Sequence, residues 1–146
     1  MHVILGADHG GYQKKEEIKS WLLDKGFGVV DVGATSIDLD DDYVDFAKEA
    51  IAKTVSDEDR IVLFCRNGFG MMIAANRFTG ERCGLAFDKE AVARGRTDDD
   101  INCLSIPADY VDVESVKEMV MIFLSKEFAK DEKYARRIMK LDNLIK

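Results

Sequence analysis

Cys65 stands where a thiol can do chemistry. Ile61, Val62, Leu63 and Phe64 before it are apolar and rich in branched side chains, as a buried parallel strand requires. Gly68 and Gly70 follow, and Met71, Met72, Ile73, Ala74 and Ala75 continue as a helix. A thiol at the carboxyl end of a strand, just before a helix amino terminus, meets unpaired N–H groups and the positive end of a dipole. Both favour an anion and lower a thiol pKa. Cys65 is therefore a candidate thiolate, expected to titrate below the ordinary value of about 8.5. The plainer alternative is a small buried hydrophobe at a strand end.

A second polar cluster, Asp8-His9-Gly10-Gly11, follows the apolar run Val3, Ile4, Leu5. If both strands are parallel, it shares an edge of the sheet with Cys65. The other histidine is His2, beside the terminus, so His9 is the one credible imidazole acid or base. Asp8 could instead cap the next helix, with His9 bonded to its own loop. The first turn lacks Gly-x-Gly-x-x-Gly, which weakens a dinucleotide site. The acidic run Asp38, Asp40, Asp41, Asp42 lacks the glycine and closing glutamate of a calcium loop and reads as a solvated loop.

The elements that must position these groups alternate regularly. Strands are expected over residues 3–7, 28–32, 61–64, 82–87 and 102–106, and helices over 14–25, 42–55, 89–96, 113–128 and 134–145, with a further helix after Gly70. In the first helix, Ile18, Trp21, Leu22 and Leu23 form the apolar side, and Lys14, Lys15, Glu16, Glu17 and Lys19 the wet side. The chain has 146 residues, 47% of them hydrophobic, with one proline and no linker-like stretch. That pattern specifies an α/β fold: a single domain over 1–146 with a doubly wound, five-stranded parallel sheet in a Rossmann-like three-layer sandwich. Three cysteines at unrelated spacings fit neither a disulfide framework nor a zinc pattern, consistent with a reducing cytoplasm. A formal charge of −7 argues against nucleic acid, and no apolar stretch is long enough to cross a membrane.

Asp8-His9-Gly10-Gly11, the helix 14–19, Asp31-Val32-Gly33, Asp42-Tyr43, residues 65–76 and Arg136-Arg137 together resemble the type B ribose-5-phosphate isomerase and galactose-6-phosphate isomerase family over nearly the whole chain. The resemblance implies an aldose–ketose isomerase without metal or other cofactor, acting on a sugar or sugar phosphate. It implies a homodimer or homotetramer with sites between subunits, and helix 134–145 packed on a partner. Cys65 would take a proton from sugar carbon 2, and the loop amides of residues 67–70, with Asn67, Gly68, Phe69 and Gly70, would hold the enediolate. Asp8, His9 and Tyr43 would contact the sugar.

The chain also departs from the family. The loop reads Cys65-Arg66-Asn67-Gly68 instead of Cys-Gly-Thr-Gly, so Arg66 is a new charge, able to lower the thiol pKa, point into water or bind phosphate. Asp98-Asp99-Asp100 replaces His-Asn-Asp, so the ring-opening histidine is missing and Asp98 would act in its place, with Asp99 on the substrate. Asp109 stands at a phosphate-binding arginine, Lys133-Tyr134 replaces Arg-His, and Arg137 alone matches the family's phosphate residues. Three readings follow: an isomerase with rearranged contacts, one subunit of a hetero-oligomeric isomerase, or a sugar-binding protein that has lost the reaction.

Overall fold

The computed structural model describes residues 1–144. Eleven elements follow one another as β1 His2–Ala7, α1 Tyr12–Asp24, β2 Gly28–Asp31, α2 Tyr43–Ala52, β3 Arg60–Cys65, α3 Phe69–Ala75, β4 Cys83–Leu85, α4 Lys89–Asp99, β5 Cys103–Pro107, α5 Val113–Ser125 and α6 Glu132–Asp142. The five strands form one sheet in the order β2-β1-β3-β5-β4, every pairing parallel. The expected doubly wound sheet is thus the one observed.

Strand periodicity builds the two cores. Val3, Leu5, Val62, Phe64, Leu104 and Ile106 project to one face, against Ile18 and Leu22 of α1, Val92 of α4, and Val116, Val120 and Phe123 of α5. The alternate residues Ile4, Ile61, Leu63, Cys65 and Cys103 project to the other, against Ala47 and Ala50 of α2 and Met71, Ala74 and Ala75 of α3. Side chains of successive strand residues point to opposite faces, so this division follows from the sequence alone.

Several helix boundaries differ from expectation. The α4 helix runs on through Asp98 and Asp99, because Asp100 in the left-handed region (φ 48°) supplies its C-cap. The second helix stops at Ala52, leaving Val55 exposed, and Leu23 lies outside the core at 53% exposure. The final helix runs from Glu132 to Asp142; Ile145, expected to end it, lies outside the described residues.

A larger correction concerns Lys15, which is fully buried and not on the wet side of α1. Its ammonium lies 2.9 and 2.7 Å from the two carboxylate oxygens of Asp31 and 3.0 Å from the Ala34 carbonyl, with Glu16 at 2.7 Å. Lys19 adds a second contact to Asp31 at 2.7 Å. A buried charge survives only when it is paired and hydrogen-bonded, and this network ties α1 to the end of β2. Burial pushes Asp31 upward, but Lys15, Lys19 and the Gly33 N–H outweigh it and hold the carboxyl below its ordinary value.

A carboxyl whose folded pKa is depressed contributes stability above its unfolded pKa and loses it as pH falls through the folded value. Lys15→Met should therefore cost about 3 kcal/mol in urea denaturation at pH 7. The gap between variant and wild type should narrow as pH falls below about 4, the value of the unfolded carboxyl, toward the lower folded pKa of Asp31. An unchanged unfolding midpoint at neutral pH would show the network to be idle.

Candidate active site

Strand order fixes where a ligand can sit. From β1 the chain winds one way to β2 and the other way to β3, so the crevice between the carboxyl ends of β1 and β3 is the switch point of the sheet. Ala7 pairs with Phe64, and one step further along both strands brings Asp8 beside Cys65. The Asp8 N–H donates to the Phe64 carbonyl at 3.4 Å. Glycines allow the two loops to touch: a Cβ on Gly11 would lie 2.4 Å from the Phe64 carbonyl carbon and oxygen, and one on Gly10 would lie 2.5 Å from Arg66 Cγ. The Asp8 carboxylate then closes its own turn by accepting from the Gly11 N–H at 3.0 Å.

The loop after β3 wraps Cys65. Gly68 holds φ 77°, and its carbonyl accepts from the buried Ser105 hydroxyl at 2.6 Å, which anchors the loop on β5. Asn67 turns its side-chain oxygen back to the Phe69 N–H at 3.1 Å. Tyr43, at the start of α2, lays its ring against Gly70, where a Cβ would come within 2.9 Å of Tyr43 Cζ. A cleft of about 400 Å³ opens alongside, lined by Asn67, Phe69, Leu85, Phe87, Pro107 and Tyr110.

The Cys65 thiol does not titrate low, contrary to the expectation from its strand-end position. It is 5% exposed, and burial pushes its pKa above the ordinary thiol value; the Met71, Gly68 and Asn67 N–H groups pull the other way, while the Asp8 carboxylate adds to the rise. Desolvation of the thiolate outweighs the amides of a helix only seven residues long. The amides of Met71, Gly68 and Asn67, in that order, therefore act on the sulfur. Arg66 points into water and reaches Asp109 at 3.4 Å, the two side chains being 61% and 44% exposed.

His9 is held by a residue that the sequence placed in a solvated loop. Asp41 is turned inward, its side chain 10% exposed, and both of its oxygens serve His9: Oδ2 accepts from the His9 backbone N–H at 2.8 Å and Oδ1 lies 2.7 Å from ring Nδ1. Burial raises the Asp8 carboxyl; the Gly11 N–H and His9 oppose the rise and Asp41 adds to it. Asp8, His9 and Asp41 bring one ligand atom each within 4.8 Å of one another, the set at this edge from which a metal could be held. Asp41 and Ser105 were missed. The visible signals were an aspartate just ahead of Asp42-Tyr43 and a lone hydroxyl inside an apolar strand.

The remaining predicted residues lie elsewhere. Asp98 and Asp99 occupy the last turn of α4, which carries the chain back from the carboxyl ends of the strands to their amino ends. There Asp100 takes Arg82 and Arg96 at 2.8 Å each, so it is a pinned helix end and not part of a loose acidic loop. A metal site joining Asp98, Asp99 and Asp100 to His9 is ruled out within one chain by this separation. Lys133 and Arg137 project from α6 near the Tyr134 ring, at 4.5 and 5.8 Å from its centroid. α6 packs beside α4 and has no buried residue.

Comparison with known proteins agrees with this architecture. The family model described as Ribose/Galactose Isomerase matches residues 3–141. A protein named ribose-5-phosphate isomerase B from Mycolicibacterium paratuberculosis is 34% identical over 139 residues, covering 94% of this chain and 87% of its own. The crystal structure of a ribose 5-phosphate isomerase from Thermotoga maritima superposes with a TM-score of 0.92 at 34% identity, over 97% of each chain. A Mycoplasma genitalium ribose-5-phosphate isomerase B, solved with bound ribulose-5-phosphate, has a TM-score of 0.91 at 30% identity, over 98% of this chain and 95% of its own. With a doubly wound sheet, a cysteine loop at its switch point and a family match spanning nearly its whole length, the chain belongs to the ribose/galactose isomerase family and is an aldose–ketose isomerase.

Proposed function

We propose that the chain interconverts an aldose and a ketose phosphate of the ribose 5-phosphate and ribulose 5-phosphate type by moving one proton between carbons 1 and 2 through Cys65. The observation that carries this reading is the Cys65 sulfur, buried at the switch point beneath a loop of N–H groups and beside Asp8. A proton next to a carbonyl is weakly acidic, so the base must be strong once formed and the oxygen that becomes negative must be met by donors. A thiolate with a raised pKa is the stronger base. The Asn67 side-chain amide and the Gly70 N–H are the donors for the enediolate, with Tyr43 closing that side.

Asp98, Asp99, Lys133 and Arg137 complete the site from a second copy. Support comes from α6, which has no buried residue and exposes Met139 and Leu141 at 59 and 45%, apolar surface that another chain would cover. On this reading the assembly is a homodimer or homotetramer. The acidic residues at positions 98 and 109 favour, as a second reading, a mixed assembly in which a sister subunit supplies the basic half. Among the described residues no helix is long and apolar enough to cross a membrane, in keeping with work in the cytoplasm.

Because burial raises the Cys65 pKa, the thiolate fraction grows as pH rises through a value above the ordinary thiol range. Alkylation of Cys65 and solvent-deuterium exchange at carbon 2 should both climb into that alkaline range. A plateau already reached at neutral pH would contradict the assignment. Cys65→Ala should abolish exchange while leaving sugar phosphate bound; unchanged exchange would place the base elsewhere.

Arg66 and Asp109 neutralise each other, which removes one carboxylate from the path of a phosphate. Arg66→Met releases Asp109 and should weaken phosphorylated sugars by about 1.5 kcal/mol while leaving neutral sugars unaffected. Equal effects on both classes, read as KM, would sink the phosphate reading of this pair.

A further inference from the structure

Resting on the isomerase reading, we infer that His9, held by Asp41, opens the sugar ring, and that Asp41 is the positioning residue that makes it fit to do so. Both oxygens of a single carboxylate are committed to one residue: Oδ2 to the His9 backbone N–H at 2.8 Å and Oδ1 to ring Nδ1 at 2.7 Å. The first contact fixes where the loop sits, and the second fixes the ring. An ionised carboxylate only accepts hydrogen bonds, so Nδ1 carries the proton and Nε2 is left with its lone pair. Side-chain exposures of 19% for His9 and 10% for Asp41 keep water from competing for the contact.

His9 shares this edge with Cys65. The turn 8–11 is pressed against the cysteine loop at Gly10 and Gly11, and Asp8, the residue before His9, acts directly on the Cys65 thiol. Asp98 is a poorer candidate. Even when a second copy brings it to the site, its Oδ1 already accepts from the Thr97 hydroxyl at 2.7 Å. An imidazole held through Nδ1 presents Nε2 as a single acceptor that can take a proton and return it.

The step balances on one group. Nε2 takes the proton of the anomeric hydroxyl as the carbon 1 to oxygen double bond forms. The bond from carbon 1 to the ring oxygen breaks, and the same proton passes from Nε2 to that oxygen. Asp41 gains and loses nothing; it keeps Nε2 aimed and stabilises the transient imidazolium. His9 therefore ends the step neutral, and Cys65 then works on an open chain.

Two assays on the full-length protein separate this role from a structural one. Ring-closed ribose 5-phosphate is followed to ketose, and acyclic ribulose 5-phosphate is followed for solvent-deuterium uptake at carbon 1, which needs Cys65 but no ring opening. Asp41→Asn and His9→Gln should each slow the first about 100-fold and leave the second within a few-fold of wild type. Equal losses in both assays, or no loss in either, overturn the inference. Two variants guard against one failing to fold, and retained deuterium uptake itself certifies a folded site. If the wild type exchanges no sugar, the isomerase reading fails and this inference with it; if it exchanges but the variants show no split, this inference alone fails.

Discussion

A parallel sheet has polarity, and most of what this chain can do follows from that constraint. Every strand delivers its carboxyl end to one edge, so Asp8, His9, Cys65 and Asp109 emerge together. Every helix then carries the chain back, so whatever ends a helix emerges at the other edge. Asp98 and Asp99 end α4 and are therefore separated from Cys65 by the length of the strands. One chain cannot fold its way around this. Under the proposed function, site residues that lie at opposite edges must come from two copies, and that requirement follows from connectivity more than from any single contact.

Within the Cys65 edge, burial and hydrogen bonding compete. Seven residues of helix and a few amides favour a thiolate, yet desolvation raises the thiol pKa. The same balance comes out the other way at Asp31, where two ammonium groups overcome burial. The difference lies in the strength of the partner: full cations pair with Asp31, whereas neutral N–H groups and a nearby carboxylate surround Cys65. A strong base that forms reluctantly suits abstraction of a carbon-bound proton, whereas a freely ionised thiolate would be a weaker one.

The fold was legible in the sequence because strand and helix alternate with strong periodicity, and Cys65, Gly68 and Gly70 mark the switch-point loop without any structure. What was not legible depended on side-chain reach across sequence distance. Lys15 looks like one of five charged residues on a wet helix face, and only the proximity of Asp31 and Ala34 reveals it as buried. Asp41 looks like the third member of an acidic run, and its partner His9 lies 32 positions away. The Cys65 pKa was misjudged for a related reason: position in a motif reports the dipole but not the degree of burial.

Subunit complementation tests most directly the proposed division of the site between copies. Cys65→Ala and Arg137→Ala chains would be assayed alone, then unfolded together, refolded as a mixture and assayed with a ribose phosphate. Each should be inactive alone. In randomly paired dimers half the molecules are mixed and each mixed dimer regains one intact site, so the mixture should recover about a quarter of wild-type activity. An Arg137→Ala chain that is fully active alone, or a mixture that stays inactive, would mean that Cys65 and Arg137 do not meet across an interface.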